Sequence, residues 1–297
     1  MKLKFTRLPN KYKSPLLING LKGNIYMARS TKNQNILYLG NIVSGIEINW
    51  QLINYLRSYG SVTAVDIPGI GGMDNFSVIG KKPTIDNYVD YLVSLIKLRY
   101  KNKKFIIVAD GFGFVIATKL LIKYPKYSPN VKMIVAINGA LSKNCFNESI
   151  PTVKYLRFLR FLSLNETLFK KSGFQHRLLN TNPFVDVNFD DSSFNLYSAD
   201  KKYLDSLIVK GDRITHISIL NQLRNLDIKG KIENIPVWNI QTINNSLNKK
   251  VTEDAIKEIY TKYHQSSPKL TMDDLIFNID NSLSRLFTIK LRKKLVR

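Results

Sequence analysis

Short apolar segments alternate with segments of helical periodicity along much of the chain. This alternation is typical of a mainly parallel sheet covered by helices on both faces. In the first half, segments of helical periodicity separate the predicted strands, and glycine, proline or asparagine stands at several strand ends. Strands are predicted at 23–30, 35–41, 61–69, 105–109 and 131–138, with Leu3 and Phe5 suiting an earlier one, and helices at 46–59, at 83–100 and up to Tyr124.

The alternation stops between residues 141 and 230, where short helical segments such as 153–164 and 198–209 are separated by polar loops. It returns with a strand at 235–241, a helix from Thr252 to His264, a strand at 268–272 and a final helix from about Asp274. The sequence therefore predicts an α/β core formed by residues 1–140 and 231–297 and a helical cap formed by residues 141–230. The helix at 153–164 suits a lid over a cleft, or an amphipathic surface for a membrane or protein partner.

The charge of the chain changes the expected partners. Its 297 residues carry a formal net charge of +23, and the pI is near 9.9. Such a charge attracts nucleic acid, a ribonucleoprotein assembly or an anionic membrane surface. The alternative is a genome rich in A and T, which also enriches lysine, asparagine and isoleucine. The densest basic patch comprises Lys290, Arg292, Lys293, Lys294 and Arg297.

Cysteine content and terminal composition bear on the compartment. Cys145 is the only cysteine, so the sequence predicts no internal disulfide and a reducing compartment. No apolar run has the length of a membrane-spanning helix. The first acidic residue is Glu47, so the basic start could imitate a mitochondrial transit peptide. We expect an intracellular protein, cytoplasmic or alternatively mitochondrial, without a metal or a cofactor, since no ligand cluster or phosphate loop is evident.

Four motifs, taken in order, carry a resemblance. LYLGN ends at Gly40 and Asn41; VTAVDIPGIGGMD has the form D-x-P-G-x-G from Asp66 to Gly71; FIIVADGFGF reads as a strand, a sharp turn and a helix; NLDIKGKIENIPV leads into a late strand. In this combination the chain resembles the α/β-hydrolase superfamily over nearly its whole length. The resemblance implies an α/β-hydrolase fold with an inserted cap, and an ester or amide hydrolase activity. It also makes 109–113 the nucleophile elbow, with Ala109 and Gly113 as its small residues.

The catalytic residues of that family do not follow. The nucleophile position falls on Gly111, the acid position near Asn245, and the histidine position on Asp273 or Asp274. The triad needs a nucleophile, a histidine and an orienting carboxylate. The sequence therefore predicts a degenerate site with no catalytic residue. Its candidate oxyanion loop and cleft comprise Gly40, Asn41, Asp110 and Phe112, with Leu39 where a histidine is common.

Glycine at the elbow has a physical explanation. The elbow holds its central residue at positive φ, which costs of order 1 to 3 kcal/mol for a residue with a Cβ and little for glycine. Once catalysis no longer selects for that strain, glycine at position 111 is the more stable choice. The elbow geometry is thus compatible with loss of the chemistry.

Other residues are alternative candidates for catalytic groups. Asp110 as nucleophile would put Phe112 at a site that needs a small residue, so we expect Asp110 to be partly exposed or hydrogen-bonded to a nearby loop. His264, expected at a helix end, is the alternative base. His176 and His216 are expected to be structural, and Cys145 to be a small hydrophobe.

Three functions are consistent with these features. The first is a non-catalytic protein that serves as a scaffold or binds a small hydrophobic ligand under the cap. The second is a divergent ester or amide hydrolase with an unorthodox site. The third is a nucleic-acid or ribonucleoprotein component, which the charge alone suggests.

Overall fold

A computed structural model describes residues 7–42, 45–147, 150–163, 183–184, 212–242 and 245–266. Eight strands form one sheet in the order β1-β2-β4-β3-β5-β6-β7-β8. The strands are β1 Lys13–Ile18, β2 Leu21–Ala28, β3 Asn35–Leu39, β4 Ser61–Val65, β5 Phe105–Asp110, β6 Val131–Ile137, β7 Val237–Ile240 and β8 Tyr263–Ser266.

The sheet is parallel from β4 to β8, and only the pairs β1·β2 and β2·β4 are antiparallel. The central strand β5 is buried at all six positions, as expected for a strand covered on both faces. The carboxyl ends of β3, β5, β6 and β7 therefore lie along one edge. This architecture confirms the predicted α/β fold class.

Six α-helices are described: α1 Trp50–Leu56, α2 Ile85–Tyr100, α3 Phe112–Lys123, α4 Val153–Ser163, α5 Arg213–Leu223 and α6 Lys249–Ile259. The Thr84 side chain caps α2 by accepting from the backbone N–H of Asn87 at 3.2 Å. The first of the predicted helices is shorter than expected, since residues 46–49 form turns before α1. Helix α3 is buried around most of its circumference, because it lies against β5 under α2.

Strand β1 was not among the predicted strands. Its sequence KSPLLI contains Pro15, and proline within a sheet is confined to edge strands, first residues and bulges. The structure resolves this conflict by placing β1 at the edge of the sheet, where only β2 pairs with it. Leu3 and Phe5, the expected first strand, lie outside the described residues.

The predicted helix from Thr252 to His264 is wrong at its end. Helix α6 stops at Ile259, and Tyr263 to Ser266 form β8, which pairs in parallel with β7. Helical periodicity ends where Tyr260 adopts an extended conformation with φ −107° and ψ 121°. The strand expected at 268–272 and the helix expected from Asp274 lie outside the described residues.

The segment between β6 and β7 contributes helices α4 and α5, which pack against each other. Leu156 and Leu159 of α4 are buried, whereas Phe158 and Phe161 of the same helix are exposed by 49% and 71%. The boundaries of the proposed cap, 141–230, remain a prediction. Within the described part of the chain, no helix combines the length and the apolar character needed to cross a membrane.

We predict that Gly113→Ala destabilises the protein because α3 approaches β3 too closely for a side chain. An added Cβ would lie 2.7 Å from the Leu39 carbonyl oxygen and 2.9 Å from that of Gly40. Overpacking against backbone typically costs about 1 to 3 kcal/mol, which urea denaturation measures directly. The matched control is Gly72→Ala, whose Cβ would lie 3.4 Å from the Asn24 Nδ2 and 3.9 Å from the Asp66 Oδ2, both ordinary contacts. Equal stabilities of the two variants would contradict the close approach.

Candidate functional site

The turn between β5 and α3 has the geometry of an elbow. Gly111 follows the last strand residue, Asp110, and precedes the first helical residue, Phe112, with φ 46° and ψ −106°. Its N–H donates to the Ile137 carbonyl at 2.9 Å, and its carbonyl accepts from Phe114 at 3.1 Å. Both backbone groups are satisfied, so the positive φ is held by the surrounding structure.

The side chain of Asn41 fills the space in front of Gly111. A Cβ at position 111 would lie 2.6 Å from Nδ2, 2.7 Å from Cγ and 2.8 Å from Oδ1 of Asn41. Asn41 is only 1% exposed, and its Nδ2 has no hydrogen-bond partner in the described chain. The room that a nucleophilic side chain would need is therefore taken by an amide from the loop after β3.

The Asn41 oxygen also engages two backbone donors. Oδ1 accepts from the N–H of Ile42 at 2.7 Å and lies 3.4 Å from the N–H of Phe112. In α/β-hydrolases the oxyanion hole is made by the N–H after the nucleophile and an N–H from the loop after β3. In this chain the corresponding turn has the N–H groups of Ile42 and Phe112 directed at the Asn41 side-chain oxygen.

Asp66 holds the loop that carries Asn41 against the next turn. Its carboxylate accepts from the N–H of Ile46 at 2.7 Å and from that of Gly72 at 3.1 Å. Gly71 has φ 62°, and a Cβ there would lie 2.5 Å from the carboxylate, so the turn needs glycine. Burial raises the pKa of Asp66 to about 6, against the lowering effect of these hydrogen bonds.

Asp110 differs from its expected environment, which was partly exposed or hydrogen-bonded to a loop. It is 1% exposed, and its Oδ1 has no hydrogen-bond partner among the residues described. Burial raises the pKa of Asp110 to about 7. Burial and then the charge of Asp110 also raise the pKa of Tyr38, a buried residue of β3. The correction follows from tertiary structure, because α3 and its neighbours cover the end of β5.

Neutral amides and hydroxyls occupy the carboxyl ends of β6 and β7. Asn138, at φ 48°, donates to Thr242 Oγ1 at 3.0 Å and accepts from the Thr242 N–H at 2.9 Å. Asn245 accepts from Gln241 Nε2 at 3.1 Å and from the Leu247 N–H at 2.9 Å. These side chains satisfy one another, and none of them carries a charge.

His264 lies on β8 rather than at a helix end, which corrects its expected place. Its Nε2 is 3.4 Å from Ser266 Oγ, which also accepts from Trp238 Nε1 at 2.9 Å. His216 lies buried on α5 and Cys145 is buried in a short 3-10 helix. His176, Asp273, Asp274 and the basic patch from Lys290 to Arg297 lie outside the described residues.

Sequence reasoning named Asn41 as part of the cleft but missed what its side chain does. An asparagine after a strand-ending glycine is ordinary loop composition, and only the approach of α3 brings it to Gly111. The Asp66 contacts were missed for the same reason, since Ile46 lies 20 positions away. The signal available for Asp66 was the D-x-P-G-x-G pattern itself.

No family model matches the chain, and no curated protein matches it either. Several solved structures are similar to it. A carboxylesterase of the ammonia-oxidizing thaumarchaeon Nitrososphaera gargenis is 15% identical at a TM-score of 0.65, covering 95% of this chain and 99% of its own. An epoxide hydrolase from Vigna radiata is 17% identical at a TM-score of 0.64. The match covers 95% of this chain and 98% of the hydrolase.

A third structure, an N-formylmaleamic acid deformylase from Pseudomonas putida, is 12% identical at a TM-score of 0.63, covering 90% of this chain and 96% of its own. At identities this low, the likeness shows that the chain has the α/β-hydrolase fold and carries no activity with it.

We predict that Asp110 makes the protein less stable as the pH rises. The pKa of Asp110 in the folded state is about 7, above the ordinary value of 3.8. Between these two pH values the folded protein therefore binds more protons than the unfolded chain does. This contribution is fully present below about pH 4 and is lost as the pH rises through about 7. At 1.36 kcal/mol per pKa unit, the loss is on the order of 4 kcal/mol.

The measurement is urea denaturation of the native protein and of Asp110→Asn at pH 5 and pH 8. The stability of the native protein should fall relative to that of the variant. Asp90→Asn is the control, because hydrogen bonds from Tyr124 and Lys123 outweigh burial and lower the pKa of Asp90. Parallel pH profiles for the native protein and Asp110→Asn would contradict the raised pKa.

We predict that Gly111→Ala and Asn41→Gly are coupled. Gly111→Ala alone should cost about 2 to 4 kcal/mol, from positive-φ strain and from overlap with the Asn41 amide. In the Asn41→Gly background the overlap is absent, so the cost should fall by about 1 to 3 kcal/mol. A double-mutant cycle of unfolding free energies measures this coupling, and strict additivity would show that the two positions are not in contact.

Proposed function

We propose that this chain uses the α/β-hydrolase fold as a non-catalytic binding or scaffold module. One observation carries the proposal: the Asn41 side chain occupies the space before Gly111, and its Oδ1 accepts from Ile42 and faces the N–H of Phe112. A nucleophile and an oxyanion both need that space. The fold is thereby retained without the two features that acyl transfer requires of it.

The rest of the triad supports the same proposal. Acyl transfer needs a base that takes the nucleophile's proton and an acid that stabilises the resulting imidazolium. Asn245, at the proposed acid position, is a neutral amide that hydrogen-bonds within its own loop. The sequence has no histidine after His264, so Asp273 or Asp274 stands at the proposed histidine position.

Binding roles suit the remaining features. The net charge of +23 favours an anionic or ribonucleoprotein partner, and the helical segment between β6 and β7 suits a cover over a small hydrophobic ligand. We place the protein inside the cell, in the cytoplasm or alternatively in mitochondria. These finer assignments are proposals that rest on composition and on the neutral site.

A divergent hydrolase is the alternative, favoured by the esterase and epoxide hydrolase whose structures are similar. In that case His264 is the base, and the attacking group comes from outside the elbow. The His264 Nε2 lies 3.4 Å from the Ser266 Oγ on the same strand. The two functions differ in a single measurable property, which is turnover that depends on His264.

We predict that purified native protein hydrolyses p-nitrophenyl acetate and p-nitrophenyl butyrate no faster than buffer does. The variants to run beside it are His264→Ala and the double substitution Gly111→Ser with Asn41→Gly, which supplies both a hydroxyl and room for it. All three should stay at baseline, because the described residues place no histidine beside Gly111. Circular dichroism checks that each variant is folded.

Two outcomes would contradict these expectations. Turnover by the native protein that disappears in His264→Ala would identify an unorthodox base. Turnover by the serine-containing double variant alone would mean that a histidine lies within reach of position 111 and that the triad was misassigned.

A further inference from the structure

A second concave region lies at the opposite edge of the sheet from Gly111. It is a cavity of about 700 Å³ at the amino ends of β3, β4 and β5, lined in part by Asn35, Ser61 and Lys103. The five residues of β3 span about 16 Å at ~3.3 Å per residue, which separates this cavity from the elbow. Its volume falls within the range of ligand sites in proteins, roughly 300 to 1,000 Å³.

The residues that line this cavity include several positively charged side chains and no negatively charged side chain among those described. Among the 15 described lining residues, five are lysine or arginine and none is aspartate or glutamate, whereas the whole chain has 22 acidic residues to 45 basic ones. The five are Lys11, Arg29, Arg57, Arg99 and Lys103. None of them takes part in an ion pair recorded among the described residues. Their positive charges therefore add in one concave space.

Arg57 is held in place by neutral acceptors. Its Nη1 donates to Tyr12 Oη at 3.0 Å and to Asn54 Oδ1 at 3.0 Å, and its Nε lies 3.4 Å from the Arg29 carbonyl oxygen. A guanidinium fixed in this way keeps its full charge, and the ordering of its side chain precedes binding.

The other lining groups suit phosphate oxygens. Ser14, Ser30, Ser61 and Thr63 supply hydroxyls, and Asn35 supplies an amide. Hydroxyls, amides, lysine and arginine are the groups that contact phosphate and sugar in nucleic-acid complexes. A carboxylate would repel a phosphate, and none occurs among the lining residues that the structure describes.

The aromatic side chain at the rim is already covered. The centroid of the Tyr12 ring lies 5.2 Å from that of the Trp50 ring and 5.0 Å from the Arg57 guanidinium. The ring is thus covered by other residues of the same chain. Tyr100 is buried and donates to the Ile36 carbonyl at 3.2 Å. Neither ring is presented for stacking on a base, so recognition of base identity is not expected.

From these observations we propose that this amino-edge cavity binds the sugar–phosphate backbone of a single nucleic-acid strand without sequence preference. A strand reaches into a concave cationic cavity, whereas a bilayer surface is flat on this scale. The inference rests on the proposed binding role, to which it gives a place and a ligand. Ester hydrolysis and strand binding are measured separately, so failure of one proposal does not obscure the other.

The test is fluorescence anisotropy with labelled 12-nucleotide oligouridylate and oligoadenylate at 50 and 200 mM KCl. With three to five phosphate contacts and a slope of about −0.7 per contact, affinity should fall about 20- to 130-fold between the two salt concentrations. The two oligonucleotides should bind with equal affinity. A strong preference for one of them would overturn the sequence-independent backbone mode.

The decisive variant combines Arg29→Gln, Arg99→Gln and Lys103→Gln, which leaves the structural contacts of Arg57 intact. Its matched control combines Lys82→Gln, Lys126→Gln and Lys231→Gln, which removes the same charge from exposed positions away from the cavity. The cavity variant should bind at least tenfold more weakly with a salt slope smaller by about 2, and the control should keep most of its affinity.

Three results would overturn the proposal. Equal weakening in both triple variants would mean that net charge alone attracts the strand. Absence of binding at 50 mM KCl would mean that the cavity takes no strand. Flotation with vesicles of phosphatidylcholine containing about a third phosphatidylserine, without oligonucleotide binding, would assign the cations to a membrane surface instead.

Discussion

The close contact between the first turn of α3 and the end of β3 is the constraint on which the site depends. Gly113 allows it, since any side chain there would meet the carbonyl oxygens of Leu39 and Gly40. This contact brings Asn41 in front of Gly111 and its oxygen toward the N–H of Phe112. The contact therefore places an amide, rather than open space, in front of the turn between β5 and α3.

The two ends of the parallel strands differ in their electrostatics. We call the side of the sheet where these strands end the carboxyl edge, and the side where they begin the amino edge. At the carboxyl edge, Asn138, Thr242 and Asn245 are neutral, and the buried Asp110 has a pKa raised to about 7. At the amino edge, arginines and lysines surround a cavity whose described lining contains no carboxylate. A fold whose usual chemistry is at the carboxyl ends of its strands thus carries a cluster of positive charges at their amino ends. Fold and function are separable for this reason, because each site depends on loops and side chains that the sheet merely positions.

Three features near the carboxyl ends of the strands are energetically unfavourable for folding. Asp110 and Tyr38 are buried with oxygen atoms that have no hydrogen-bond partner among the described residues, and Asn138 adopts positive φ. Each departs from the usual preference for satisfied polar groups and unstrained backbone. The extensive core around α3 and β5 stabilises the fold enough to tolerate them. Asp66 adds rigidity by joining the loop after β3 to the turn after β4.

The sequence by itself determined the α/β class, the places of most strands, and the glycine at the elbow, because alternation and buried apolar runs are local signals. It failed at β1, where Pro15 opposes a strand that only an edge position permits, and at β8, where helical periodicity extended past Ile259. Tertiary structure alone decided that Asn41 faces Gly111, that Asp110 is buried and that distant cations share one cavity. Those facts depend on contacts between residues far apart in the chain, which no local pattern encodes.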